Sequence, residues 1–209
     1  MLIINQIKQP KTKKGQETLE RIVKAGEKLF HELTYPVASI NDIVELAGVG
    51  IGTFYLYFDS KQSLLRYLVL SYHHEIRKEI AESCINCTTR EEAEKLGFKA
   101  YFNYIIKNPY CYTIIWQSLV VDRELFVYYY TTFAEKYRIG MQRAIDKDEV
   151  YDDIDAINIV YALMGITNFF GLKISVFQED TPTEEELDQL VDDAMKLLKR
   201  GMFKKNSGE

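Results

Sequence analysis

Residues 39–61 read SINDIVELAGVGIGTFYLYFDSK, and this stretch decides the fold. Ser39 caps a short helix from Ile40 to Ala47, with Asp42 three residues on in a capping-box position. Its apolar face is Ile40, Ile43, Val44 and Ala47. Gly48-Val49-Gly50 then makes a tight turn in which Gly48 stands where a left-handed backbone is needed and Val49 plugs the shared core. A second short helix runs from Ile51 to about Phe58. Short helix, glycine turn, short helix is the helix-turn-helix pattern. Ala47 is small because the two helices approach closely there. The first helix braces the second, whose outer face is then free to enter a DNA major groove.

Working outward, helical spacing predicts a helix from about Lys14 to Leu33, with Ile22, Gly26, Leu29, Phe30 and Leu33 on one face. Tyr35-Pro36 ends it, because proline biases the residue before it away from the helical region. Asp59-Ser60 offers a cap for a long fourth helix carrying Leu64, Leu65, Leu68 and Tyr72. Beyond Asn86 the spacing predicts further helices over 90–107, 109–119, 122–146, 153–178 and 183–204. Only 4 Pro and 11 Gly among 209 residues argue against a loop-rich β protein, so the chain is expected to be all-α. Three cysteines make no disulfide framework and suit a reducing cytosol, and Met1–Lys8 lacks a secretory apolar run. A cytoplasmic location is expected.

The net charge of −5 hides an asymmetry. Residues 1–61 hold eight basic and seven acidic side chains, a net of +1, while 62–209 hold 18 and 24, a net of −6. Lys8, Lys11, Lys13 and Lys14 form a basic arm with no acid among them, suited to a phosphate backbone. On the second short helix, Ile51 and Gly52 open the outer face, and Gly52 lets the backbone come near the bases. Thr53, Tyr55 and Tyr57 carry hydroxyls able to donate to phosphates. Phe54 and Phe58, one turn apart, face the core. Lys61, in the first turn of the fourth helix, is placed to share a phosphate with the backbone amides there.

The stretch from Ser39 to Lys61 strongly resembles the signature of the tetracycline-repressor-like (TetR) family of bacterial regulators. The Ala-Gly-Val turn, the Gly-Thr-Phe-Tyr start of the recognition helix and the Tyr-Phe-x-Ser-Lys close occur together in order. The likeness extends from Ile22, Ala25, Leu29 and Phe30 to Leu64, about a quarter of the chain. It implies a three-helix DNA-binding head over 1–60, joined by a long helix to a six-helix ligand-binding and dimerisation domain over 61–209. It further implies a homodimeric repressor on a pseudo-palindromic, double-stranded operator, released when a small molecule binds. By position Thr53, Tyr55, Tyr57 and Lys61 match the family's usual DNA contacts, with Ser39 and Asn41 as phosphate neighbours. Two departures stand out. Thr34 occupies a place where many members have glycine, and the recognition helix has no Arg, Lys, Asn or Gln for bidentate base reading. Sequence choice is then expected to lean on the lysine arm and on DNA shape.

In the remainder, Phe126, Tyr130, Phe133, Tyr137, Met141 and Ala144 form one stripe, with core packing as its default reading. Fifteen tyrosines, clustered near the lone Trp116, suit an amphipathic cavity for an apolar or aromatic effector bearing one or two polar atoms. Its expected contacts are Tyr101, Tyr104, Tyr112, Trp116, Phe126, Tyr130, Phe133, Asn168 and Phe169. From Ala156 to Gln178 only Lys173 is charged, yet acidic flanks and the internal Asn158, Asn168 and Lys173 argue against a membrane span. A homodimer interface through 156–178 and 183–204 explains the pattern, with Gly165 and Gly171 admitting a neighbouring helix. Cys84 and Cys87 form a lone Cys-x-x-Cys, short of a zinc site, and His73 and His74 lie roughly 15 Å away along the helix. No metal, cofactor or catalytic constellation is expected, so the chain does not read as an enzyme. The alternatives are a helical small-molecule binding protein and a redox-responsive regulator using Cys84 and Cys87.

Overall fold

The structure, a computed structural model, describes residues 10–200. Lys8 of the basic arm, and residues 201–204 of the last expected helix, lie outside them. The described residues form nine α-helices and no strand, so the fold is all-α.

Several helices begin where a side chain supplies a partner for their free amides, whereas those beginning at Ile51 and Cys111 have no such cap. α1 (Lys13–Glu32) follows Thr12, whose side chain accepts from the Gly15 amide. α2 (Ile40–Ala47) opens on the Ser39–Asp42 capping box and closes at Gly48, which has a φ of 63°. α3 (Ile51–Tyr57) follows Gly50. At α4 (Lys61–Ser83), Ser63 donates its amide to Ser60 Oγ and Ser60 its amide to Ser63 Oγ, both at 3.1 Å. Then come α5 (Arg90–Lys107), α6 (Cys111–Val121), α7 (Arg123–Ile145), α8 (Ala156–Leu172) and α9 (Glu184–Arg200). The helix expected over 153–178 is shorter and interrupted. Asp155 caps it at Ala156, and it passes at Lys173 into a π-helical turn ending at Phe177. There the Ser175 hydroxyl donates to Gly171 O, the carbonyl an α-helical Ser175 amide would use, and competes with the regular ladder.

The helices gather into two compact units. The first takes the chain through Glu75 together with Tyr110–Thr131, and the second takes Ile76–Pro109 with Thr132 onward. The unit holding the helix-turn-helix therefore extends past residue 60 to include the first turns of α4, all of α6 and the start of α7. Its core is Leu19, Ile22 and Phe30 of α1, Ile43 of α2, Phe54 and Phe58 around α3, and Leu64 and Leu65 of α4, all essentially inaccessible. α1 and α4 meet at Gly26, where an added Cβ would lie 2.5 Å from Leu64 Cδ2. Leu33, expected on the apolar face, is 42% exposed because α1 has already ended. Thr34 takes the left-handed conformation itself, with a φ of 68°. The turn thus keeps a glycine-like shape with a β-branched residue in it, a strained arrangement.

At the α6–α7 corner Asp122 is 6% exposed. It accepts from Arg66 Nε at 2.5 Å, Gln62 Nε2 at 3.0 Å and the Leu125 amide at 3.2 Å. Burial opposes its ionisation, but these hydrogen bonds and the Arg66 charge win and hold the carboxyl below its ordinary range. In the second unit, α5 packs on α9 with Lys95 paired to Asp192 and Lys99 to Asp188. Glu94, nearly buried, accepts from both Arg90 and Tyr137.

Two outcomes follow from this packing. Thr34→Gly should raise stability by about 0.5–1 kcal/mol, because strain relief exceeds the added freedom of the unfolded chain, and thermal melting should show a rise of roughly 1–4 °C. Asp122→Asn should cost about 1–3 kcal/mol at neutral pH. Because the folded carboxyl is the stronger acid, its stabilisation is present above the unfolded value of about 4 and fades as pH falls through the lower folded value. Urea titrations of the two proteins should therefore converge in acid.

Candidate DNA-binding face

α3 turns one side to the core and the other outward. Phe54 and Phe58 are 0% exposed, whereas Ile51 and Tyr55 are each 48% and Leu56 60% exposed. Gly52 is exposed too, with nothing within 4 Å of where a Cβ would stand. Thr53 and Tyr57 are half-buried at the margin. Phe54 packs on Phe58 at 5.6 Å between ring centroids, and Phe58 on Tyr67 at 5.7 Å, so aromatic contacts seat the helix from below.

The loop before α2 and the end of α2 are held by side chains from three other helices. Arg21 of α1 donates to Ala47 O at 3.1 Å and Gly48 O at 3.4 Å, meeting carbonyls at the C-terminus of α2. Lys61 donates from Nζ to Tyr35 O and Ala38 O, both at 2.6 Å, reaches Pro36 O at 3.5 Å, and lies 4.4 Å above the Tyr35 ring. Desolvation lowers its pKa below the ordinary lysine value. Gln117 of α6 donates to Phe30 O at 2.9 Å and accepts from the Tyr35 amide at 2.5 Å. His31 meets Thr113 at 3.2 Å and stacks on Tyr110.

Several residues expected to touch phosphate are thus engaged within the protein. The Lys61 ammonium points into the 35–38 loop. The Tyr57 hydroxyl donates to Gly15 O at 3.0 Å, tying α3 to the first turn of α1. Ser39 donates to Asp42 Oδ2 at 2.7 Å, and the bonds between Ser39 and Asp42 hold the Asp42 carboxyl below its usual range. Asn41, Tyr55, Lys11, Lys13 and Lys14 remain exposed. Lys13 and Lys14 fall in the first turn of α1, which has no acidic residue. Cations at the positive end of a helix dipole are unfavourable until an anion joins them. Arg21 and Gln117 carry no local sequence signal for this role, except that Gln117 is a long polar side chain inside the apolar run of α6.

The expected effector contacts divide between the two units. In the first, Trp116 meets Phe126 at 6.4 Å and Phe126 meets Tyr130 at 4.8 Å, a linked aromatic set with Trp116 43% exposed, while Tyr112 is buried. Burial pushes the Tyr130 phenol well above its ordinary pKa. In the second, Tyr101 and Tyr104 are buried, and Phe133 and Asn168 are half-buried. Phe169 is 65% exposed: it follows Val160 by nine residues, which at about 100° per residue puts it opposite the buried face of α8. Of the cysteines, Cys84 donates to Ala93 O at 3.3 Å. Burial, Cys84 and Glu92 push the Cys87 thiol up, and burial pushes Cys111 to about 12, so these two thiols stay protonated.

Comparison with known proteins places this geometry. Residues 22–68, from mid-α1 into α4, match the bacterial regulatory proteins of the tetR family. The HTH-type transcriptional regulator YdgC of Bacillus subtilis is 35% identical over 97 residues, 44% of this chain and 49% of that protein. TtgR of Pseudomonas putida, also an HTH-type transcriptional regulator, is 33% identical over 85 residues, 40% of this chain and 38% of TtgR. The chain thus spans about half or less of the length of the curated relatives it matches. Among solved structures, the Bacillus subtilis transcriptional regulator FadR in complex with stearoyl-CoA superposes with a TM-score of 0.73 at 17% identity, covering 88% of this chain and 100% of that one. The TetR-family regulator PfmR of Thermus thermophilus gives 0.72 at 19%, with the same coverage. At these identities the structures speak for the fold. Residues 22–68 thus carry the DNA-binding signature of the tetR family of bacterial regulators, and the helices of the chain share the fold of solved members.

Proposed function

We propose that this protein is a homodimeric, ligand-responsive transcriptional repressor acting in the cytoplasm. The observation that carries the proposal is the α3 face: four consecutive-turn positions, Ile51, Gly52, Tyr55 and Leu56, stand exposed on a short helix seated from below by Phe54 and Phe58. Two such helices, one per protomer, enter successive major grooves about 34 Å apart on a pseudo-palindromic site. Lys11, Lys13 and Lys14 take phosphates beside them, with Asn41 and the amides at the start of α4. Tyr57, Ser39 and Lys61 serve by fixing the head, and the Lys61 charge adds to the field that a phosphate feels.

Dimerisation is assigned to α8 and α9. Ala156–Phe177 is long and apolar enough to cross a membrane by length and composition, yet only 28% of its apolar window is buried. Tyr161, Phe169, Val176 and Phe177 are exposed there, as is Leu197 on α9. A second copy covers this surface in a four-helix interface. The effector is a mainly apolar molecule with a small polar part, an acyl chain or an aromatic compound, packed on Trp116, Phe126, Tyr130 and Tyr112. The stearoyl-CoA bound by the FadR relative in fold supports the acyl class. Trp116 is adjacent in sequence to Gln117, so a ligand pressing on α6 acts on the bonds from Gln117 to the loop before α2. The resulting coupling is of the order of 1–3 kcal/mol. The acidic remainder of the chain favours a second reading, a helical small-molecule binding protein with no affinity for DNA.

A duplex selected by the full-length protein from a randomised pool separates the two readings. Its affinity, followed by fluorescence anisotropy, should fall at least roughly a hundredfold between 50 and 200 mM salt. Replacing Lys13 and Lys14 together by Ala should weaken binding about tenfold whatever the sequence and reduce the salt slope by about two. A chain that selects no duplex, or binds one without salt dependence, sinks the repressor reading and leaves the carrier.

A further inference from the structure

We infer that α3 reads its operator through thymine methyl groups, with Ile51 and Leu56 as the specificity-determining side chains. The inference rests on the DNA-binding reading above and names what that face recognises. The outward side of α3 holds two aliphatic side chains, one tyrosine and a bare glycine, and it offers no amide, guanidinium or ammonium group. Bidentate reading of guanine or adenine needs those groups. The one apolar group that a base pair displays in the major groove is the C5-methyl of thymine. Aliphatic side chains exposed in the free protein thus have one apolar partner there, and burying carbon against carbon is favourable without any hydrogen bond.

Position supports chemistry. Gly52 has nothing within 4 Å of its missing Cβ, so the α3 backbone can come close enough for short side chains to touch the bases. Ile51 and Leu56 are five residues apart, about 7.5 Å along the helix axis, or roughly two base-pair rises of 3.4 Å. They also stand about 140° apart around the helix, so with α3 in the groove they meet methyls on opposite sides of it, about two steps apart. The half-buried Thr53 adds a methyl of its own at the edge of the same face. The exposed cations Lys13 and Lys14 at the start of α1, which is tied to α3 by the Tyr57 hydroxyl on Gly15 O, supply the charge complement that makes duplex DNA, rather than an apolar protein surface, the occupant.

The test uses the selected duplex with uracil replacing thymine one position at a time, which removes the methyl and keeps the base pairing. At one or two positions per half-site the affinity should drop about three- to fivefold, the worth of one buried carbon. Ile51→Ala and Leu56→Ala, both at exposed positions, should retain the wild-type melting temperature. Each should bind the thymine duplex more weakly and bring its thymine-to-uracil affinity ratio at one position close to one. Tight, salt-dependent binding that ignores every uracil replacement overturns the inference and leaves the repressor reading standing. So does a ratio unchanged in both variants. Absence of any salt-dependent duplex binding overturns the repressor reading beneath it.

Discussion

The DNA-binding head depends on how one loop is held. Between α1 and α2 the chain turns through Thr34–Ala38, where carbonyls and amides belong to neither helix and must find partners elsewhere. The Lys61 ammonium takes three of the carbonyls, and Gln117 takes the Tyr35 amide together with the Phe30 carbonyl. Each is a long side chain with several donors or acceptors in a fixed spread, suited to joining backbone groups that do not lie on one helix. With the loop so held, Ser39 begins α2 at a set angle and α2 braces α3. The left-handed Thr34 is tolerated because its surroundings leave the loop no alternative path.

The legible part of this architecture is the local part. Capping boxes, the glycine at the end of α2 and the spacing of apolar residues act within five or six residues, and the expected α2 and α5 coincide with the observed helices. The sidedness of α3 was legible in part, since Phe54 and Phe58 one turn apart mark what lies beneath and Ile51, Gly52 and Tyr55 stand above as expected. Thr53 and Tyr57, by contrast, are half-buried, and the exposed Leu56 was not singled out. What escaped the sequence acts over long separations. Arg21 meets a residue 26 positions away and Gln117 one 82 away, with nothing nearby in the chain to mark either partner. Lys61 shows a third kind of limit: its position was clear, but which way its flexible stem would turn depended on carbonyls 23 to 26 residues earlier. The π-helical turn after α8, where the Ser175 hydroxyl bonds to Gly171 O, was concealed by the apolar run around it.

In the unit that holds the helix-turn-helix, spatial neighbours are not neighbours in the chain. α6 comes some fifty residues after the helix-turn-helix, yet it folds into the same compact unit and supplies Thr113, Gln117 and the neighbouring Asp122 to it. The aromatic set of Trp116, Phe126 and Tyr130 belongs to that unit as well. On the proposed function, an apolar molecule on that set would sit one residue from a hydrogen bond that shapes the helix-turn-helix unit. No long relay is required.

The close approach at Gly26 has a mechanical meaning. Leu64 of α4 occupies the space where a side chain on α1 would stand, so only a residue without a Cβ lets the two helices come this near. A single extra methyl at residue 26 would therefore have to displace the Leu64 side chain or push α1 and α4 apart.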